Sequence, residues 1–229
     1  MSLVKKYKAQ IVKIAHPLPD IYTVYFKSPD KQFKYKPGQF LHLTLSEYDP
    51  SQQWPESRCF SMQSSPEEEL LKITYSVKGA YTRRMEKELK EGGYVWLKLP
   101  YGDMFQKPHS KEKCLFIAGG TGVTPYLSLF THSSFSQYNN AKAYLGFRSE
   151  EYNIYMQALE KAGSINKSFR LYSAYQDKDG LLDIKKILES SDKGSTYFIS
   201  GPPVMIKIFK KYLLSNKVPD SMVITDDWE

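Results

Sequence analysis

The sequence contains few of the residues that crosslink small proteins or bind metals. Its 229 residues include two cysteines and four histidines. Two cysteines cannot build a disulfide scaffold or supply the four thiolates of a typical iron–sulfur cluster, so we interpret Cys59 and Cys114 as buried packing thiols in a reducing, cytoplasmic setting. The histidines are scattered without metal-ligand spacing, at His16, His42, His109 and His132. We therefore expect no metal site.

Long apolar runs are also missing. Residues 1–20 lack the apolar core of a signal peptide. The longest stretch without Asp, Glu, Lys or Arg runs from Cys114 to Ala141, but glycines and Pro125 interrupt it, and it is rich in Ser, Thr and Asn. The sequence therefore predicts no membrane span.

The positive charge is distributed unevenly. There are 32 Lys and Arg against 25 Asp and Glu, a net charge of +7. Residues 1–36 carry eight lysines against Asp20 and Asp30, whereas residues 220–229 carry four acids and no base. No recognised nucleic-acid motif accompanies the lysines, so we expect no nucleic-acid binding. An acidic protein partner for the basic N-terminal half is the expectation instead.

The first half of the chain reads as short β-strands. Segments beginning at Tyr7, Ile21, Gln39 and Leu70 alternate apolar and polar residues, and Pro/Gly-containing turns separate them. This pattern is typical of an antiparallel barrel or sandwich. One short helix is predicted to interrupt it, over residues 82–89.

The second half alternates strands with helices. It begins with an uninterrupted apolar run from Lys113, as expected of a strand buried on both faces. Strand–helix alternation predicts a doubly wound parallel sheet. A polar, Pro-containing stretch at residues 107–111 separates the halves. We predict two domains, residues 1–109 and 110–229.

The segment Gly119–Pro125 (GGTGVTP) follows a predicted buried strand and opens a predicted helix. Glycines there let the backbone approach a phosphate, with Thr124 as N-cap and Pro125 as the first helical residue. The segment lacks the last glycine of a G-x-G-x-x-G fingerprint. A tight strand–helix turn without a ligand is the alternative.

The segment Lys78–Met85 (KGAYTRRM) has a similar layout. Gly79 turns the chain, Thr82 is a candidate N-cap, and Arg83 and Arg84 would lie in the first helical turn. Arginines there oppose the helix dipole, and a bound phosphate would reverse that penalty. The alternative is a solvated pair of surface arginines.

Three further segments carry weaker signals. In RCFSMQSSP, Arg58 and Phe60 share one strand face, which suits a phosphate plus a flat ring but also fits an ordinary surface and core pair. The segment YFISGPP, from Tyr197, repeats the strand–turn–helix layout. Near the C-terminus, Trp228 is either part of a loose tail or a lid over a ring.

Taken in order, these segments resemble the ferredoxin–NADP reductase superfamily over nearly the whole chain. The order is PGQF at Pro37–Phe40, R-x-[YF]-S at Arg58–Ser61, G-x-x-[ST] at Gly79–Thr82, GGTGxTP at Gly119–Pro125, GPP at Gly201–Pro203, and a C-terminal aromatic. The resemblance implies an antiparallel Greek-key β-barrel that binds FAD, followed by the α/β domain that binds a nicotinamide nucleotide.

The resemblance also implies site residues. The flavin contacts would come from Arg58, Cys59, Phe60, Ser61, Lys78, Gly79, Ala80, Tyr81 and Thr82. Arg58 would bind the diphosphate, Phe60 would lie against the isoalloxazine ring, and Ser61 would lie near its N5. The nicotinamide nucleotide would contact Gly119, Gly120, Thr121, Gly122, Thr124, Gly201 and Pro202. Ser61, Ser200 and Trp228 would be the catalytic group, with Trp228 covering the flavin.

The chain departs from the family pattern at three places. Phe60 stands where Tyr is more usual, Ser200 stands where many members have Cys, and Glu229 follows the terminal aromatic.

Arg148 and Ser149 follow the second α/β strand, where they could bind a 2′-phosphate. The family's Ser-Arg pair after the next strand is absent. Arg148 and Ser149 slightly favour NADPH over NADH, and the absence of the Ser-Arg pair weighs against that choice.

The function implied by the resemblance is hydride transfer from NAD(P)H to bound FAD, followed by single-electron transfer to a protein. The partner would be an acidic ferredoxin or flavodoxin, or another subunit of a multi-subunit oxidoreductase. One alternative is an NAD(P)H:flavin oxidoreductase that uses flavin as a dissociable substrate. A second alternative is a non-catalytic flavin-binding sensor or assembly subunit.

Overall fold

The computed structural model describes residues 3–226. The described part of the chain divides into two compact units, with the boundary between Asp103 and Met104. The domain boundary expected at residue 109 stays a prediction.

The first unit is a nearly closed antiparallel barrel. Its elements are β1 (Lys5–Leu18), β2 (Ile21–Lys27), β3 (Phe40–Thr44), β4 (Arg58–Ser61), β5 (Leu71–Ser76), α1 (Ala80–Glu88) and β6 (Tyr94–Tyr101). The strand order is β4-β3-β6-β1-β2-β5, with every neighbouring pair antiparallel. The two end strands also meet, since the Phe60 and Tyr75 ring centroids are 6.0 Å apart. The predicted antiparallel barrel is confirmed.

Alternation along the strands fills the barrel. On β1, Tyr7, Ala9 and Ile11 are buried while their neighbours are exposed or half-buried. Helix α1 presents Tyr81 and Met85 to the same core. These two residues are four apart, so they lie on one face of the helix. The helix therefore packs its apolar stripe into the barrel core and leaves its arginines outside.

The second unit is a five-stranded parallel sheet flanked by helices. Its elements are β7 (Cys114–Gly119), α2 (Thr124–Phe130), β8 (Lys142–Phe147), α3 (Met156–Ile165), β9 (Arg170–Tyr175), α4 (Gln176–Asp179), α5 (Ile184–Glu189), β10 (Thr196–Ser200), α6 (Pro203–Ser215) and β11 (Val223–Thr225). The order β11-β10-β7-β8-β9 with parallel pairing confirms the predicted doubly wound sheet. Within residues 3–226, no helix is both long and apolar enough to cross a membrane.

The central strand β7 is buried on both faces. Phe116 belongs to an aromatic core on one side, where its ring stacks on Phe198 at 5.1 Å and meets Phe130 edge-on at 5.0 Å. Ile117 belongs to a second core on the other side, which includes Phe209 of α6. Successive side chains of a strand point to opposite faces, so an unbroken apolar run is what a central strand requires.

We predict that Phe116→Ala strongly destabilises the parallel sheet. The side chain is fully buried among aromatic rings, and removing such a ring costs about 3–5 kcal/mol. Urea unfolding followed by circular dichroism measures the loss. Met156→Ala, at a position 45% exposed on α3, is the control and should change stability little. Equal losses in the two variants would contradict the assignment of the core.

Candidate functional site

The residues expected at the flavin diphosphate lie together in the first unit. Arg58 begins β4, and its guanidinium carbon is 5.0 Å from the centroid of the Tyr81 ring, in the first turn of α1. The Tyr81 hydroxyl donates to the backbone oxygen of Leu43 at 2.6 Å. Burial raises the pKa of Tyr81 to about 12, so the phenol remains a neutral donor. The ring thereby holds the start of α1 close to Arg58.

The start of α1 differs from the predicted one. The helix begins at Ala80 with Gly79 as N-cap, so the prediction of Thr82 as N-cap is wrong. Thr82 is the third helical residue, and its hydroxyl accepts from the N–H groups of Lys78 at 2.9 Å and Gly79 at 3.1 Å. The amides of residues 80–82 come before the first N–H that donates within the helix, which is that of Arg83 to the Gly79 oxygen at 3.0 Å. These amides and the positive helix end suit an anion.

Cys59 and Phe60 occupy opposite faces of β4. The Phe60 ring packs partly against the barrel core. The Cys59 sulfur lies 3.6 Å from Nε2 of His42. Cys59 is only half-buried, so the expectation that it is a buried thiol is wrong. Cys114 is fully buried, as expected. Burial raises the pKa of Cys59, and burial with nearby Lys98 lowers the pKa of His42. Both shifts favour the neutral forms of the pair.

Ser61 ends β4, opposite Phe40 of β3, and is half-buried.

In the second unit, two glycine-containing loops touch at the carboxyl edge of the sheet. A Cβ on Gly122 would lie 2.4 Å from Cα of Gly201, which leaves no room for any side chain. Gly201 has a φ of +139°, which favours glycine. A Cβ on Gly119 would lie 3.1 Å from a ring carbon of Pro202. The structure therefore brings together the loops after β7 and β10, as the predicted nucleotide site requires.

The start of α2 also differs from the prediction. A single 3₁₀ turn, Gly120–Val123, leads directly into α2, and Val123 holds the N-cap position with a helical φ of −68°. Thr124 is therefore the first helical residue, and its prediction as N-cap is wrong. Its hydroxyl donates to the backbone oxygen of Thr121 at 2.9 Å. The hydroxyl thus stabilises the glycine turn.

Ser200 connects the end of β10 to Asp226, which directly follows β11. It is 2% exposed, and its hydroxyl donates to Oδ2 of Asp226 at 3.0 Å. The backbone N–H of Asp226 donates to the oxygen of Ile199, also at 3.0 Å. The expected catalytic residue Trp228 lies outside the described residues.

Arg148 and Ser149 lie at the end of β8, in acidic surroundings. The Arg148 guanidinium carbon is 5.4 Å from the centroid of the Tyr152 ring. The groove beside them is lined by Ser149, Glu150, Glu151, Asp177 and Lys178. The Asp177 N–H donates to the oxygen of Arg148 at 3.2 Å, which joins the ends of β8 and β9. The sequence does not predict Glu150, Glu151 or Asp177 as site residues, although they closely follow the predicted strands that form β8 and β9.

The donor set fits two phosphate-bearing cofactors. Arg58 and the first-turn amides of α1 suit one diphosphate, and the loops at Gly119–Gly122 and Gly201 suit another. The first turns of α1 and α2 contain no acidic residue. Apart from the residues on either side of each glycine, no described atom lies within 4 Å of a Cβ built on Gly79 or Gly120, so the backbone is open to a ligand at both loops.

Comparison with known proteins identifies the same two modules. The family model "FAD-binding domain" matches residues 2–139, more than half of the chain, and "Oxidoreductase NAD-binding domain" matches residues 116–211. The chain belongs to the ferredoxin reductase-like superfamily. The fold agrees with that of a ferredoxin NADP⁺ reductase from Neisseria gonorrhoeae, solved with bound FAD and NADP, at a TM-score of 0.76, 17% identity and 99% coverage of both chains.

Curated relatives include a reductase component and an electron transfer subunit. The reductase component of propane 2-monooxygenase from Mycolicibacterium smegmatis is 25% identical over 98% of this chain and 68% of its own length. A probable dihydroorotate dehydrogenase B electron transfer subunit from Methanocaldococcus jannaschii is 27% identical over 87% of this chain and 71% of its own. Among the relatives compared, the chain spans from 9% to 71% of the whole protein. The two family models give the chain an FAD-binding domain and an oxidoreductase NAD-binding domain, which confirms the predicted class of FAD-dependent oxidoreductase.

We predict that Gly122→Ala destabilises the second unit. The new methyl group would have to displace the backbone of Gly201, and overpacking of this kind costs about 1–3 kcal/mol. Thermal unfolding of the cofactor-free protein measures the effect. Gly163→Ala in α3 is the matched control. Outside its chain neighbours and the nearby backbone of its own helix, no described atom lies within 4 Å of a Cβ built there, so alanine should stabilise the helix by about 0.5–1 kcal/mol. Unchanged stability of Gly122→Ala would argue against the backbone contact.

Proposed function

We propose that this chain is a reductase that retains FAD, takes reducing equivalents from NAD(P)H and delivers electrons singly to a separate protein. The observation that carries the proposal is Arg58 against the Tyr81 ring at the start of α1. That arrangement suits a diphosphate, which FAD has and which riboflavin and FMN lack. A retained FAD distinguishes this function from that of an enzyme that releases flavin as a product.

The residues of the chain have binding and orienting roles in this proposal. Arg58 and the first-turn amides of α1 hold the FAD diphosphate, and Phe60 lies against the flavin ring, with Ser61 beside it. The loops at Gly119–Gly122 and Gly201 hold the nicotinamide nucleotide. Bound FAD supplies the chemistry of accepting a hydride and releasing electrons one at a time.

The electron acceptor we propose is an acidic ferredoxin or flavodoxin, or another subunit of a larger oxidoreductase. Two relatives are named as a reductase component and an electron transfer subunit, which supports a partner of this kind. The lysines of residues 1–36 provide a basic surface on the first unit that would attract an acidic carrier. Both cysteines are free, which supports a reducing compartment such as the cytoplasm.

The choice between NADH and NADPH depends on opposing charges at the end of β8. Arg148 and Ser149 favour a 2′-phosphate, and on that basis the sequence slightly favours NADPH. The groove carboxylates of Glu150, Glu151 and Asp177 oppose a phosphate and suit a free ribose hydroxyl. Titration with both nucleotides decides between them.

The decisive experiment is flavin identification and reduction of the purified protein. We expect a yellow protein with one FAD, whose absorbance is bleached by NADH or NADPH under anaerobic conditions. A colourless protein that reduces added riboflavin or FMN would instead indicate a flavin oxidoreductase. Bound FAD that neither nucleotide bleaches would indicate a sensor or assembly subunit.

We predict that Arg58→Ala weakens FAD binding by about ten- to a hundredfold, because a charge-assisted contact worth about 1.5–3 kcal/mol is lost. Quenching of flavin fluorescence on titration of the flavin-free protein gives the dissociation constant. Arg83→Ala, which removes the same charge from the exposed side of α1, is the control and should bind FAD as the unmodified protein does. Equal affinity in both variants would show that Arg58 does not contact the diphosphate.

A further inference from the structure

A second arginine lies against the same ring as Arg58. The guanidinium carbon of Arg84, one turn along α1, is 5.9 Å from the centroid of the Tyr81 ring, while that of Arg58 is 5.0 Å away. Tyr81 is 6% exposed, so its ring is a fixed surface close to both guanidinium groups. Arg58 comes from β4 and Arg84 from α1, so this pairing depends on the fold.

One carboxylate already bridges the two arginines. Oε1 of Glu56 lies 3.2 Å from Nη2 of Arg58, and its Oε2 lies 3.6 Å from Nη1 of Arg84. Glu88 also contacts Arg84, with Oε1 at 2.9 Å from Nε. The four side chains of Arg58, Arg84, Glu56 and Glu88, which we name the α1 charge cluster, carry no net charge. An anion that enters between the arginines must therefore replace Glu56.

We propose that Glu56 is a resident counter-ion that sets the affinity for FAD, and that Arg84 is a second arginine for the FAD diphosphate. This inference rests on the proposed function. In the structure, Glu56 lies between the two guanidinium groups, where the diphosphate would lie once FAD is bound. FAD binding therefore requires the Glu56 carboxylate to leave.

The exchange is favourable because a diphosphate has more acceptor oxygens and more negative charge than a carboxylate. Glu56 has two oxygens and one negative charge, which it shares between two arginine side chains. A diphosphate diester has two charges on four non-bridging oxygens, so it can accept from both guanidinium groups and from the amides of residues 80–82 at once. The larger anion thus gains contacts that the carboxylate lacks.

Glu56 can leave at little cost to the fold. The side chains of Arg58, Glu56 and Arg84 are between 46% and 58% exposed, and exposed ion pairs contribute little to stability. Glu56 precedes β4 in the loop from β3, outside the regular elements. Substitutions in the α1 charge cluster should therefore change FAD affinity without unfolding the barrel.

The first test is FAD titration of the flavin-free full chain and its Glu56→Gln variant. Removing the competing carboxylate should tighten FAD binding by about three- to tenfold at low salt, and the gain should shrink as salt screens the charges. Glu69→Gln is the matched control, because it removes the same charge from an exposed pair with Lys27 elsewhere in the unit. Circular dichroism checks that each variant is folded.

The second test compares Arg84→Gln with Arg83→Gln. Both remove one positive charge from the first half of α1, but Arg83 is exposed, lies outside the α1 charge cluster and, within residues 3–226, forms no ion pair. Arg84→Gln should weaken FAD binding by about three- to tenfold, and Arg83→Gln by less than about twofold.

The outcomes separate this inference from the proposed function. If the unmodified protein binds no FAD, both are overturned. If it binds FAD and Glu56→Gln has no effect or weakens binding, then Glu56 does not compete with the diphosphate, and the inference alone is overturned. Equal effects of Arg84→Gln and Arg83→Gln would remove Arg84 from the site. Tighter binding confined to Glu56→Gln, with loss confined to Arg84→Gln, would support the proposal.

Discussion

At the carboxyl edge of the parallel sheet, the loops after β7 and β10 meet through their backbones because neither Gly122 nor Gly201 has a side chain. A contact of this kind fixes the distance between two strand ends more closely than side-chain packing does. It also leaves backbone N–H groups, and no bulky side chain, at the edge where ligands of open α/β sheets bind. The helices that follow the two loops, α2 and α6, then start from fixed positions.

In the first unit, different residues fix the position of a helix start. There the start of α1 is fixed by the buried Tyr81 ring, whose hydroxyl is bonded to Leu43 of β3. The ring faces arginines from β4 and from α1 itself, so positive charge collects at a helix start that already favours anions. Each unit thus presents helix-start amides to an anion, one beside glycines and the other beside arginines.

Much of this could be predicted from the sequence because the signals are local. The apolar run of β7 indicated a central parallel strand, and the alternation in β1 and β2 indicated a barrel. Strand β6 was not assigned, although Val95, Leu97 and Leu99 alternate as buried residues within it. The two Thr N-caps were misplaced because a helix start depends on the preceding turn, which residue type alone does not determine.

The contacts that define the candidate site could not be predicted, because they join distant parts of the chain. Nothing in the local sequence indicates that Glu56 lies between Arg58 and Arg84, since that depends on α1 packing against the start of β4. Likewise, the acids of the β8–β9 groove meet only because parallel strands place their carboxyl ends at one edge. The order of the motifs along the chain indicates the family. The balance of charges within a site depends on which residues the fold brings together, so the sequence does not reveal it.

The hydrogen bond from Ser200 to Asp226 has an evolutionary consequence. In the family pattern that the sequence resembles, cysteine is common where this chain has Ser200, and a thiol is a weaker donor than a hydroxyl. A carboxylate at position 226 is therefore best stabilised when position 200 is serine. The two positions should covary among homologues, with acidic residues at 226 accompanying serine at 200 and becoming rarer where cysteine replaces it.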